Sequence, residues 1–173
     1  MKEIYGFKAF NKGLITNQGD KLKLNKIYEI KGTPIFRRKG YHICENLEDT
    51  LRFFDCENID ICRVIGYPEY AVYWDDYNES GKMYSCQKIQ LTHILTEKEI
   101  IEEAKKMNQF RFYTFSAFYP LKKEQLKYFL EKYIDNNWIL SNLIYRYYDE
   151  EIFERKIKEN VNYKEMAKQY IKK

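Results

Sequence analysis

Apolar and polar positions alternate at short range in the first half of the chain and recur every three to four residues in the second. Tyr5 to Phe10 alternates and is rich in aromatics, which predicts a strand. Asn11-Lys12-Gly13 and Asn17-Gln18-Gly19-Asp20 read as turns. Lys26 to Ile30 is a short strand, broken by Lys31-Gly32-Thr33-Pro34. Gly40 to Cys44 is a further extended segment, and Gly40 lets the chain enter it in a conformation a side chain forbids. Asn46 is then a helix cap, with Glu48 and Asp49 in the first turn opposing the helix dipole. Leu47, Leu51 and Phe54 make its apolar stripe. Ile61 to Gly66 reads as a buried strand, Tyr70 to Trp74 as another, Asp75 to Gly81 as a polar loop, and Met83 to Leu95 as a long strand.

From Thr96 the period lengthens. Thr96-Glu97-Lys98-Glu99 is a capping box, flanked by Leu95 and Ile100 as a hydrophobic staple. Pro120 opens a helix carrying Leu126, Phe129, Leu130, Tyr133 and Ile134 on one face. Asn136 and Asn137 interrupt it and cap the next segment. Trp138 to Tyr148 is apolar nearly all round and predicts a mostly buried helix. Asp149 and Asn162 cap two more, the last with Tyr163, Met166, Ala167, Tyr170 and Ile171 on one face. The fold class is therefore α+β: a small mixed or antiparallel sheet with one intervening helix, followed by a C-terminal helical region. The corresponding division is a β-rich part, 1–96, and a helical part, 97–173, packed on it.

Composition narrows the class. With 45% hydrophobic residues in a 173-residue chain, a core is affordable without disulfides or metals. The net charge of +4 comes from 30 basic and 26 acidic residues whose signs are interleaved, which argues against nucleic acid as a partner. The 17 Tyr and 11 Phe fit AT-rich coding, and they also fit an aromatic binding face. The Met1-Lys2-Glu3-Ile4-Tyr5 start has no leader character, and no apolar run reaches the roughly 20 residues of a membrane helix. We therefore expect a soluble, cytoplasmic protein with reduced thiols.

The candidate chemistry is sparse. On a strand, His42 and Cys44 share a face, so imidazole and thiol can meet as base and nucleophile, with Glu45 or Asp49 as the orienting acid. The alternative is a structural corner in which Cys44 fills core and His42 bonds backbone. Cys44, Cys56, Cys62, Cys86, His42 and His93 match no zinc spacing, so no metal is expected. The glycines form no phosphate loop, no nucleophile elbow is present, and no cofactor is called for. Arg37-Arg38-Lys39 is a short basic run suited to an acidic partner or a phosphate, or simply a solvated loop.

The segments GFKAFNKGL, KIYEI, GYHICENLEDTLRFF, ICRVIGYPEY and KIQLTHILTEKEI occur in an order that resembles a family of bacterial and phage proteins of unknown function. The likeness covers about residues 5–101, and Gly40, His42, Cys44, Glu45, Asn46 and Asp49 fall in its most specific segment. Leu47 stands where that pattern has Pro, and Arg63 where it has an acid. The resemblance implies a shared fold and no activity. A weaker resemblance, through the Gly40 to Gly66 stretch, is to ADP-ribosyltransferase-like folds of the poly-ADP-ribose polymerase type. It places His42 at the nicotinamide-stacking position. Ala9-Phe10-Asn11 stands where that family has its opening His-Gly, and no catalytic glutamate is placed.

With no complete catalytic set, the expected function is a non-enzymatic protein-binding module, phage- or mobile-element-associated, that inhibits a host or rival protein. The alternatives are an ADP-ribosyltransferase-like enzyme or NAD-binding protein and, third, a nucleic-acid binder.

Overall fold

The computed structural model describes residues 3–35, 38–54, 56–73, 81–148, 150–159 and 161–172. The chain divides into two compact units, residues 1–111 and 112–173.

The first unit is built on one antiparallel sheet of five strands: β1 (Ile4–Asn11), β2 (Ile27–Glu29), β3 (Tyr41–Cys44), β4 (Ile59–Tyr73) and β5 (Lys82–Ile94). The neighbours run β2-β5-β3-β1-β4, and β4 pairs again with β5. Four strands thus close into a barrel, and β2 lies beside β5 beyond β3. The expected antiparallel sheet with C-terminal helices is what the chain forms.

The segments read as separate strands around Ile61 to Gly66 and Tyr70 to Trp74 are one long strand, β4. Pro68, between those two segments, sits where the β4–β5 register shifts. A bulge tolerates a residue with no N–H to donate. Trp74 and the expected loop at 75–80 lie outside the described residues.

Strand alternation fills the barrel. Phe10, Ile43, Cys62, Val64, Cys86, Ile89 and Leu91 form one buried core, joined by Leu14 and Leu22 from the loop after β1. The interior is so small that a Cβ on Gly66 would stand 2.7 Å from both Cys86 Sγ and Ile43 Cδ1. The loop is pinned by Asp60, whose carboxylate accepts from Gly13 N (2.7 Å), Leu14 N (3.2 Å) and Lys12 Nζ (2.6 Å). These bonds hold Leu14 at a φ of 61°, an uncommon conformation for a bulky residue, with its side chain in the core.

The intervening helix, α1 (Leu47–Leu51), is shorter than the Leu47-Leu51-Phe54 stripe predicts. Leu47 and Leu51 are buried, as are Glu48 and Asp49. Those two acids do more than oppose a dipole. Glu48 takes a forked pair of bonds from Arg111, at 2.5 and 3.1 Å. Asp49 accepts from Gly81 N (3.1 Å) and from the Asn46 side chain. Asn46 occupies the cap position, yet its side chain makes no cap hydrogen bond. Its amide is turned onto Asp49 and wedged against the backbone of Gly81, where a Cβ would stand 2.4 Å from Asn46 Nδ2.

The helix α2 (Glu97–Lys106) begins on the expected capping box: Thr96 N donates to Glu99 at 2.8 Å and Glu99 N donates to Thr96 Oγ1 at 3.3 Å. The helix α3 (Gln109–Phe118) is not announced by the pattern, because aromatic residues run round all its sides. Asn108, whose Oδ1 accepts from Arg111 N (2.9 Å), is the signal that marks its start. Its last carbonyls, on Ser116 and Phe118, are satisfied by the Arg146 guanidinium.

In the second unit α4 (Lys123–Lys132), α5 (Asn137–Tyr147), α6 (Glu150–Lys158) and α7 (Tyr163–Ile171) follow. Asn136 and Asn162 cap α5 and α7 through Ile139 N (3.1 Å) and Glu165 N (3.0 Å). Phe112, Phe115, Phe129, Leu130, Leu140, Ile144 and Met166 make this unit's core. The α5 segment is less buried than its composition predicts: Trp138 is 40% and Tyr145 74% exposed. The cap read at Asp149 lies outside the described residues. No described helix is long and apolar enough to cross a membrane.

Candidate functional site

Strand alternation sends His42 and Cys44 to the outer face of the barrel, while Ile43 goes inward. Phe7 is the register partner of Cys44, and Met83 pairs with Cys44 from the other side. The stretch after α1 brings Phe53 and Phe54 over this face, and the turn before β3 brings Arg38. Together they bound a cleft of about 520 Å³ whose wall includes Phe7, Lys8, His42, Cys44, Met83 and Arg38. Asn17, Gln18 and Thr50 add neutral polar groups, and Phe53 and Phe54 complete the apolar side. That volume is within the roughly 300–1,000 Å³ of ordinary small-molecule sites.

Lys8 is the residue the sequence reading missed. It stands opposite Cys62 in register and shares its face with Phe10, so it starts from the inside of the barrel. Strands β1 and β3 meet at Phe7 and Cys44. Beside that pair the Lys8 ammonium donates to the backbone carbonyl of His42 at 3.0 Å. It also lies 5.4 Å from the Phe10 ring centre. No carboxylate among the described residues pairs with it. A charged residue at the inward position between Gly6 and Phe10 is the sequence signal that marks it.

The electrostatics follow. Burial lowers the Lys8 pKa from its ordinary value, against the pull of the Cys44, Cys86 and Cys62 thiols. Burial and then the Lys8 charge lower that of His42, against a hydrogen bond to the Ile35 backbone. The imidazole is therefore neutral near pH 7. Burial pushes the Cys44 thiol up to about 12, with Asp49 adding to the rise and Lys8 opposing it. His42 and Cys44 thus meet in one cleft, but a thiol with that pKa is a protonated packing group and not a thiolate.

The other expected residues are spread out. Glu45 is exposed and accepts from Lys82 N at 3.0 Å, closing the end of the β3–β5 ladder. Of the basic run, Arg38 lines the cleft, Lys39 is exposed in the tight turn with Ile35, and Arg37 lies outside the described residues. Gly40 is required at the turn into β3. Its φ is +111°, and a Cβ there would stand 2.8 Å from Pro34 Cβ and 3.1 Å from the Cys86 carbonyl oxygen. His93 is on the surface with Glu99, at 2.8 Å. Cys62 and Cys86 are in the barrel core, with burial pushing both thiols up to about 12. The described residues contain no cluster of three or more side chains able to hold a metal.

Comparison with protein-family models, with curated proteins and with solved structures finds no match to the chain.

Proposed function

We propose that the chain is a binding protein whose barrel cleft takes a small anionic ligand with a flat apolar part. The observation that supports this reading most is the make-up of the cleft. Lys8, Arg38 and His42 supply nitrogen groups, Phe7, Phe53 and Phe54 supply apolar faces, and no acidic side chain is among the described lining residues. A guanidinium forks onto phosphate or carboxylate oxygens, and aromatic rings stack on a planar group. The Cys44 thiol does not supply a nucleophile there, which favours binding over acyl or glycosyl transfer through a cysteine. Titration calorimetry of the full chain with adenosine monophosphate, NAD and inorganic phosphate tests the reading. The nucleotides should bind more tightly than phosphate alone, and Arg38→Ala should weaken them about tenfold or more. Heat from NAD but none from the monophosphate would favour the NAD-binding alternative. No heat from any of them sinks the proposal.

A protein partner is the second reading, and it rests on the helical unit. Among the described residues α6 buries no side chain, and Ile157 is 44% exposed. Tyr145 of α5, exposed, stacks edge-on against Phe153 of α6 at 5.8 Å. Aromatic and apolar groups gathered in this way are common at binding faces. Paired retention experiments with the wild-type chain and Tyr145→Glu test it: a partner held equally by both chains contradicts a role for this face.

A further inference from the structure

We propose that Lys8 is a carbonyl-capturing amine, and that the cleft holds an aldehyde- or ketone-bearing anion as an imine on Nζ. The inference rests on the anion-binding reading and goes beyond it by naming the reactive group of the ligand and the atom it joins.

Four observations carry it. Lys8 is among the cleft's lining residues and is half-buried, and its Nζ stands at the β1–β3 seam on the backbone carbonyl of His42, another lining residue. Among the described residues its hydrogen-bond acceptor is a neutral backbone carbonyl, that of His42 at 3.0 Å, and no described carboxylate holds the charge in place. Phe10 lies under the ammonium, and Phe7, Phe54 and Met83 form the apolar part of the cleft wall, beside the polar Asn17, Gln18, Thr50 and Arg38. An imidazole, that of His42, lines the same cleft. An ammonium without a counter-ion in such a place loses its proton readily, and the neutral amine is the nucleophile. The lowered pKa of Lys8 agrees with the geometry. The groups acting on it are the Cys44, Cys62 and Cys86 thiols and the His42 ring, all neutral near pH 7.

The chemistry balances without an oxidant or a metal. The Nζ lone pair attacks the carbonyl carbon, and the C=O π pair moves to oxygen. The nitrogen gives up a proton and the oxygen gains one, forming a carbinolamine. A second proton passes from nitrogen to the hydroxyl, the C–O bond breaks, and water leaves. Amine plus carbonyl becomes imine plus one water. Neutral His42 is suited to take the proton from nitrogen and return it to oxygen. Arg38 is placed to hold the ligand's anionic group.

The test uses pyridoxal 5′-phosphate as the probe, because it combines an aldehyde, a flat ring and a phosphate. The full chain is incubated with limiting probe at neutral pH and reduced with borohydride, and its peptides are mapped by mass spectrometry. Each unit by which a lysine pKa falls raises its neutral fraction about tenfold. The neutral fraction of Lys8 rises as its pKa falls, so Lys8 should carry several-fold more label than exposed lysines such as Lys23 and Lys98. Lys8→Arg should still bind the probe but give no imine absorbance. Label spread evenly over the surface lysines, with Lys8 no higher than the rest, overturns the inference. The two proposals fail separately: adenosine monophosphate binding without label at Lys8 removes the imine and leaves the anion cleft. Neither binding nor label removes both.

Discussion

The ammonium of Lys8 and the backbone carbonyl of His42, 3.0 Å apart, join β1 to β3 next to the Phe7–Cys44 pair. In a continued ladder that carbonyl would accept from a backbone N–H of β1. A side chain from the barrel interior takes the place instead. The cleft, the neutral imidazole and the buried thiol are all arranged around that bond.

The loop behind the cleft depends on Asp60. Burial pushes its pKa up, but the Lys12 hydrogen bond and the N–H groups of Gly13 and Leu14 outweigh it, and the folded value is below the ordinary one. Its stabilisation is therefore complete above the unfolded value of about 4 and is lost as pH falls through the lower folded value. Lys12 is 67% exposed, so the ion pair itself adds little. The backbone bonds carry the effect, and Asp60→Ala should cost about 1–3 kcal/mol by urea unfolding at pH 7. The difference between variant and wild type should shrink in acid.

Arg111 is the partner of a carboxylate that is only 2% exposed, that of Glu48. Removing the cation leaves that charge without its fork of bonds. Arg111→Met should cost about 3–5 kcal/mol, and the double change with Glu48→Leu should recover a large part of it. Equal losses in the single and double variants would contradict this account of the pair.

Cysteine reactivity should follow burial. In the folded chain iodoacetamide should modify Cys56, which is partly exposed, well before Cys44, Cys62 and Cys86, whose thiols are pushed up to about 12. Denaturant should equalise all of them. Rapid alkylation of Cys44 in the native chain would restore it as a nucleophile.

Local signals in the sequence were reliable where one interaction decides the element. The Thr96–Glu99 box needs no tertiary partner, and it is present as read; Thr96→Ala should cost about 0.5–2 kcal/mol. The alternation of Tyr41 to Cys44 correctly put His42 and Cys44 on one face. Signals failed where a distant partner decides. Asn46 has the residue type of a cap, but Asp49 and Gly81 claim its amide. The α3 helix has no apolar stripe and owes its C-terminal end to Arg146, some thirty residues later. The inward charge at Lys8 was readable from the strand pattern, but its surroundings were not, because they are made by β3 and β4. Those strands reach it only when the barrel closes.

The most direct test is Lys8→Met, measured at pH 7 by calorimetric titration with adenosine monophosphate alongside thermal melting. The folded pKa of Lys8 lies below the unfolded value of about 10.4, so the charged form costs stability at neutral pH. That cost is relieved progressively as pH rises from the folded value to the unfolded one. Methionine has similar reach and no charge, so it removes the cost and also removes the anchor. The account predicts a melting temperature equal to or above that of wild type and an affinity reduced about tenfold or more. A variant that melts several degrees lower and still binds the nucleotide as wild type does would make Lys8 a structural latch and contradict its role as the anchor of the anion.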